Sequence, residues 1–293
     1  MEPFQEVTSE QDGQPVLFYI ESWMNSFPNL TAGFTSRLGG VSEKPFASFN
    51  CGLHVNDLSD LVVTNRQRLA ETLEMPFDAF TYAEQVHGNE IAVITREDQG
   101  KGRASRADAI QSRDGFVTNE KELVLCALFA DCVPLFFYDP VLEVAGLAHA
   151  GWKGTVLDVA GKTVQAMMVQ FGSKPEHIRA AIGPSIGICC YEVDEKVAEP
   201  VEKVLTDMNA APEIKQKVLQ AKENQKYMLN LQELNRNFIV KAGILSSNIE
   251  VTELCTSCRT DLFFSHRREN GTTGRMAGWI AMRRNLQNKQ NES

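Results

Sequence analysis

Two histidines and one cysteine carry the chemistry that this chain announces: His87 in Gln85-Val86-His87-Gly88, Cys132 in Ala130-Asp131-Cys132-Val133-Pro134, and His149 in Ala148-His149-Ala150-Gly151. Imidazole and thiolate are good zinc donors, and three protein ligands leave a fourth tetrahedral position open, as in catalytic rather than structural sites. The three lie too far apart to be chosen by spacing alone. Context favours them, because each ends an apolar, strand-like run and is followed by residues that break strands, which is how a rigid sheet presents side chains to a pocket mouth. The same atoms admit a metal-free reading, with Cys132 as thiolate nucleophile and His149 as base of a cysteine hydrolase acting on an amide. A non-enzymatic reading closes a structural ion with a fourth ligand, His54 or Cys51. A copper oxidase of phenols fits less well, since the chain has only 5 histidines and no evident blue-copper set with an axial Met.

The elements that must position these residues are mostly short strands. Apolar runs at 16–20, 32–36, 80–86, 90–95, 123–130, 134–138, 144–148, 178–182, 249–254 and 276–282 predict them. Several follow one another with no room for a helix, so antiparallel neighbours and a mixed α/β class are expected. Helical spacing of Val156, Val159, Thr163, Val164, Met167 and Phe171, stopped by Gly172, predicts a helix over 155–171. Its N-terminus would follow His149 closely and favour an anion, with Lys153 reinforcing the field. Helices are also expected over 60–73, with Arg66 and Arg68 on a solvated face, and over 230–242, opened by Asn230 and Glu233 and closed at Gly243. Residues 195–223 read as a charged, helical, peripheral insertion.

Bulk composition narrows the function classes. With 293 residues and 43% apolar content the chain can bury a substantial core, and no apolar run is long enough for a membrane span. Met1–Val7 shows neither a basic start nor an apolar stretch, so a cytoplasmic address is expected. The net charge of −9 argues against a nucleic-acid surface, though a small anionic substrate needs only a few local cations. Seven cysteines suit a reducing compartment better than a disulfide framework. Cys255 and Cys258 form a C-x-x-C with no second pair at ribbon spacing and read as loop thiols; Cys189, Cys190 and Cys126 read as packing residues.

The blocks Thr35-Ser-Arg-Leu-Gly-Gly-Val-Ser42, Phe49-Asn-Cys-Gly-Leu-His-Val55, Gln85-Val-His-Gly88, Ala130-Asp-Cys-Val-Pro134, His149-Ala-Gly-Trp-Lys-Gly154, Gly183-Pro-Ser-Ile-Gly-Ile-Cys-Cys-Tyr-Glu192 and Gly274-Arg-Met-Ala-Gly278 stand in family order. Across about 16–285 the chain resembles the YfiH-type purine nucleoside phosphorylases, also labelled laccase-domain or polyphenol oxidase proteins and peptidoglycan editing factors. The resemblance implies one catalytic domain over 1–293, layered helix, sheet, sheet, helix, with a metal at His87, Cys132 and His149. It further implies phosphorolysis of adenosine, inosine, guanosine and methylthioadenosine, with adenosine deamination at the same site. Zinc is the usual metal, with copper attached to the older oxidase label. Phe129 stands where Thr often precedes Ala-Asp-Cys, and Lys153 replaces a frequent Arg.

Deamination requires a water activated toward purine C6, the task of zinc in other deaminases, which set a Glu beside a ligand as H-x-E. That Glu is missing here: Ala150 and Gly151 follow His149, and Glu90 lies three residues after His87. Asp131 and Cys132 share a pocket only if a turn interrupts the strand, so Asp131 is expected behind the ligands, orienting a ligand histidine. For phosphorolysis, Arg37 ahead of Gly39 and Gly40 is the expected phosphate or purine cation. Asn50, His54 and Gln85 are the neutral hydrogen-bonding candidates, and Arg275 is expected to secure the sheet.

Overall fold

A computed structural model describes residues 2–7 and 13–284; Met1, 8–12 and 285–293, at the margins of the span 1–293, lie outside them. The ten predicted apolar runs, joined by two strands not expected from the sequence, Phe4–Val7 and Gly115–Thr118, assemble into two six-stranded sheets. The first runs Phe4–Val7, Leu17–Ile20, Leu30–Thr35, Met276–Met282, Val124–Phe129, Phe80–Tyr82, antiparallel except for the last pair. The second runs Ile249–Val251, Arg179–Ile182, Val133–Asp139, Val144–Ala150, Gly115–Thr118, Ile91–Val93, antiparallel in the middle and parallel at both ends.

Period-two alternation explains the layering. Along Val124–Phe129, Leu125, Ala127 and Phe129 enter one core while Val124, Cys126 and Leu128 enter another. The first core lies between the sheets, where Phe34, Phe129 and Ile280 of one meet Phe116, Phe136 and Leu147 of the other. On the outer face of the first sheet, Leu69 and Ala70 of helix Ser59–Thr72 cover Val124, Cys126 and Trp279. On the outer face of the second, helices Val159–Phe171, Glu195–Asp207 and Leu231–Lys241 cover Val133, Leu135, Phe137 and Ala148. Helix, sheet, sheet and helix are therefore stacked in a mixed α/β sandwich, as expected. Among the described residues no helix is long and apolar enough to cross a membrane.

Three local expectations change. The helix over 155–171 is two helices, Trp152–Val156 and Val159–Phe171, because Asp158 adopts a left-handed conformation (φ 59°) and caps the second by accepting from the Gly161 amide. Gly172 (φ 76°) ends it as predicted. The segment 195–223 is more than a charged appendage: Ala198, Val201 and Leu205 of its first helix are buried. After helix Pro212–Val218 it turns into strand Leu219–Ala221, which pairs with Lys226–Leu229, itself paired to Glu192–Asp194. Finally, Arg66 is buried rather than solvated; its guanidinium donates to the carbonyls of Cys51 (2.8 Å) and Gly102 (2.6 Å) and lies 3.9 Å from the centroid of the Tyr82 ring.

Candidate metal centre

The three sequence-picked donors meet at one edge of the space between the sheets. His149 lies on strand Val144–Ala150, on the inner face with Ala145 and Leu147, and is in register with Pro134. Cys132 ends the turn that carries the chain from Val124–Phe129 in one sheet to Val133–Asp139 in the other. Asp131 in that turn has φ 84°, which breaks the strand alternation and lets it border the same cavity as Cys132. His87, itself at φ 60°, sits in the loop after Phe80–Tyr82.

The ligand atoms of His87, Cys132 and His149 all lie within 4.8 Å of one another, and Cys132 Sγ is 3.8 Å from His87 Nε2. Zinc bonds of about 2.0–2.3 Å at tetrahedral angles place neighbouring N and S donors about 3.6 Å apart, so these residues fit one ion. Burial falls from His149 through Cys132 to exposed His87, so the set opens toward solvent. Neither proposed fourth ligand, His54 nor Cys51, joins the group among the described residues. Gly151 keeps the centre open, since a Cβ there would stand 2.8 Å from His87 Cδ2 and 3.0 Å from Cys132 Sγ.

The organising residue is one that sequence reasoning missed, Asp114. Its Oδ1 accepts from the His87 amide (2.9 Å) and faces His149 Nδ1 (2.9 Å), while Oδ2 accepts from the amides of Val86 (3.1 Å) and Gly88 (2.7 Å). A single buried carboxylate thus shapes the loop of one ligand and fixes the tautomer of another, leaving His149 Nε2 as the donor. Burial works against its charge, but His149 and the loop amides outweigh it and hold the carboxyl below its usual range. Asp131 does not orient a histidine as expected. It accepts instead from Thr256 Oγ1 (2.6 Å), Ser265 Oγ (3.1 Å) and the Arg267 amide (2.7 Å), tying the turn to the loops opposite.

Burial alone would raise the Cys132 thiol, yet the charge and hydrogen bonds of His149 and His87 lower it to about 6. Burial would likewise depress His149, but Cys132 and Asp114 raise it to about 9. Between these values the metal-free pair is thiolate and imidazolium, and the thiolate is lost as pH falls through about 6. Iodoacetamide should therefore alkylate Cys132 of metal-stripped protein at a rate that holds steady down to about pH 6, followed by peptide mapping. A rate that already collapses below pH 8, as for a free thiol of pKa about 8.5, would contradict the coupling.

The donors line a cavity of about 550 Å³, a volume suited to a small organic ligand. Of the expected substrate contacts, His54, Gln85 and Lys153 border it, whereas Arg37 and Asn50 do not. Arg37 is spent on structure: it donates to Ala47 O (3.1 Å) and Thr260 O (3.0 Å), pairs with Glu269 (3.0 Å) and covers the Phe264 ring. Asn50 is fully buried and braces Gly52, Asp57 and the Arg275 amide. The Gln85 amide is also committed, exchanging two hydrogen bonds with the Leu128 backbone like an added strand residue. Burial, then Arg275, Arg106 and Arg66, lower His54 to about 4, so it stays a neutral imidazole. The helix N-terminus that follows His149 at the cavity belongs to the short turn Trp152–Val156 rather than to the long helix expected, and Leu231, the first residue of helix Leu231–Lys241, borders the cavity as well. The cavity's positive charge comes from Arg106 and Arg267, which the sequence did not single out, from Arg66, expected on a solvated face, and from Lys153 and Arg275.

The family model described as multi-copper polyphenol oxidoreductase laccase matches residues 31–283. Purine nucleoside phosphorylase YlmD of Bacillus subtilis is 42% identical over 272 residues, spanning 92% of this chain and 95% of that protein. The crystal structure of YlmD from Geobacillus stearothermophilus superposes with a TM-score of 0.88 at 40% identity, over 97% of this chain and all of that one. That of Bacillus licheniformis hypothetical protein YfiH gives 0.85 at 42% identity, over 91% and 96%.

Proposed function

Because this chain belongs to the YfiH-type, laccase-domain family, whose matched relatives are named purine nucleoside phosphorylase, we propose that it cleaves purine nucleosides with inorganic phosphate at His87, Cys132 and His149. The observation that carries this reading is the convergence of three metal donors on a cavity whose wall is cationic in a chain of net charge −9. In adenosine phosphorolysis the ribose C1′–N9 bond breaks, a phosphate oxygen bonds to C1′, and the purine leaves with a proton. Lys153, Arg275 and Arg106, the last paired with Glu84 (2.6 Å) on the same cavity lining, are the residues to bind phosphate, since guanidinium forks match phosphate oxygens in pairs. Neutral His54 offers a hydrogen bond without adding charge. Trp152 and Tyr191, which also border the cavity, give the purine flat surfaces. A zinc ion held by the triad, with copper the alternative, would contribute Lewis acidity and a fourth coordination position. Adenosine deamination at the same centre is part of the proposal, with inosine, guanosine and methylthioadenosine as further phosphorolysis substrates.

The test is to incubate protein of known metal content with adenosine, with and without phosphate, and resolve the products. Adenine is expected with phosphate and inosine without it; the absence of both would end the proposal. A second reading has one observation in its favour, the lowered Cys132 thiol beside the raised His149 imidazole. As a cysteine hydrolase acting on a peptidoglycan precursor, the protein would keep working after chelation and stop on thiol alkylation.

A further inference from the structure

We propose that Cys189, Cys190, Cys255 and Cys258 form a second metal site, a closed tetrathiolate zinc centre that fastens two loops of the cavity wall together. Their sulfurs lie within 4.8 Å of one another, with Cys258 Sγ 3.5 Å from that of Cys189 and 3.4 Å from that of Cys190. Four Zn–S bonds of about 2.3 Å at tetrahedral angles separate sulfurs by about 3.8 Å, so the spacing matches ligands around one centre. A disulfide would draw two sulfurs to about 2.05 Å and abandon the others; here Cys258 is held almost equally close to two partners. Such a compact sulfur set suits a single ion, and four sulfurs with no open position are the signature of a structural one.

The backbone builds both arms of the site. In the first, the amides of Cys190 and Tyr191 donate to Gly187 O at 3.0 Å; in the second, those of Cys258 (3.2 Å) and Arg259 (3.0 Å) donate to Cys255 O. The arms are joined by a bridge between Ser185 and Cys255 and by the Thr256 amide on Ser185 O (2.9 Å). The Gly187 amide donates to Cys255 Sγ (3.2 Å), which holds that sulfur toward the other three. A Cβ at Gly187 would stand 3.2 Å from Cys189 Sγ, so the turn has little room for a larger residue. The missing partner of the C-x-x-C is thus a vicinal pair about 65 residues earlier, which only the fold brings near.

The position gives the site a purpose. Ile186 and Tyr191, on either side of the first arm, line the catalytic cavity. Thr256 of the second arm donates to Asp131, which adjoins Cys132, and Arg268 Nε donates to Ser257 O (3.2 Å). An ion here would hold in place the part of the cavity wall that Ile186 and Tyr191 form.

The test uses full-length protein purified without chelators. In a His149→Ala background, which removes the catalytic ion, one zinc per chain is expected by mass spectrometry of metals, and cobalt substitution should give thiolate-to-metal charge-transfer absorption. Adding Cys258→Ser should remove both signals. Should that variant not fold, wild-type protein still decides: native alkylation should spare Cys189 and Cys258, although both are exposed, until a strong chelator is added. Immediate alkylation of both, a disulfide among the four, or iron in place of zinc would each overturn the proposal.

Discussion

Asp114→Asn should strip the proposed centre of its metal and lower the proposed phosphorolysis by at least about 100-fold. Partners that orient metal ligands are commonly worth about 10–100-fold in affinity or activity, and Asp114 does more than orient one. Both of its oxygens accept, from three backbone amides and an imidazole. An Asn amide keeps one acceptor, and its NH2 must face donors on the other side. Hydrogen bonds to charged groups contribute about 1.5–3 kcal/mol each, so losing two of them unseats the His87 loop in either amide orientation, and the His149 tautomer too where the NH2 takes the Oδ1 place. Bound metal and kcat/KM, measured with a melting curve to confirm folding, should fall together. Full metal content with normal turnover would show that the carboxylate only stabilises the loop.

His149→Ala should abolish phosphorolysis and deamination alike. Lewis-acid stabilisation is worth several kcal/mol, and each 1.36 kcal/mol is tenfold, so removing one of three ligands should lower both rates by about a thousandfold or more. Adenine and inosine production are the two readouts. If one persists at the wild-type rate while the other disappears, the two reactions do not share this site, and the proposed common centre is wrong.

Most strands and two of the donors, Cys132 and His149, are legible in the sequence for the same reason: apolar runs that alternate between two cores lead to residues able to bind metal. The strand expected over 80–86 instead stops at Tyr82, and a loop carries His87. Asp114 is hidden because it stands in the polar stretch Ser112-Arg113-Asp114, just before Gly115–Thr118, a strand that the apolar runs do not include. Arg37 misleads because its neighbouring glycines resemble a ligand loop. They serve chain packing instead: a Cβ at Gly40 would run into the Ser48 backbone, and one at Gly39 into that of Gln14. Arg66 sits on a helix whose pattern marks it as polar, and only the carbonyls of Cys51, Gly102 and Arg103, remote in the chain, make its burial tolerable. The break at Asp158 escapes notice because the apolar residues on either side continue one helical rhythm.

The donor triangle is rooted in different layers: His149 in one sheet, His87 beyond a strand of the other, and Cys132 in the crossing between them. Sliding one sheet past the other would therefore change the bite of the site, and any ion seated there acts as a rivet through the sandwich. Phe129 rests against His149 (5.5 Å between ring centroids) and against Phe34 (5.6 Å), so a change of volume deep in this shared interior reaches the imidazole through close-packed rings. Tuning of the chemistry is thereby distributed over apolar core positions such as Phe129 and Phe34, where ordinary drift can retune the reaction centre.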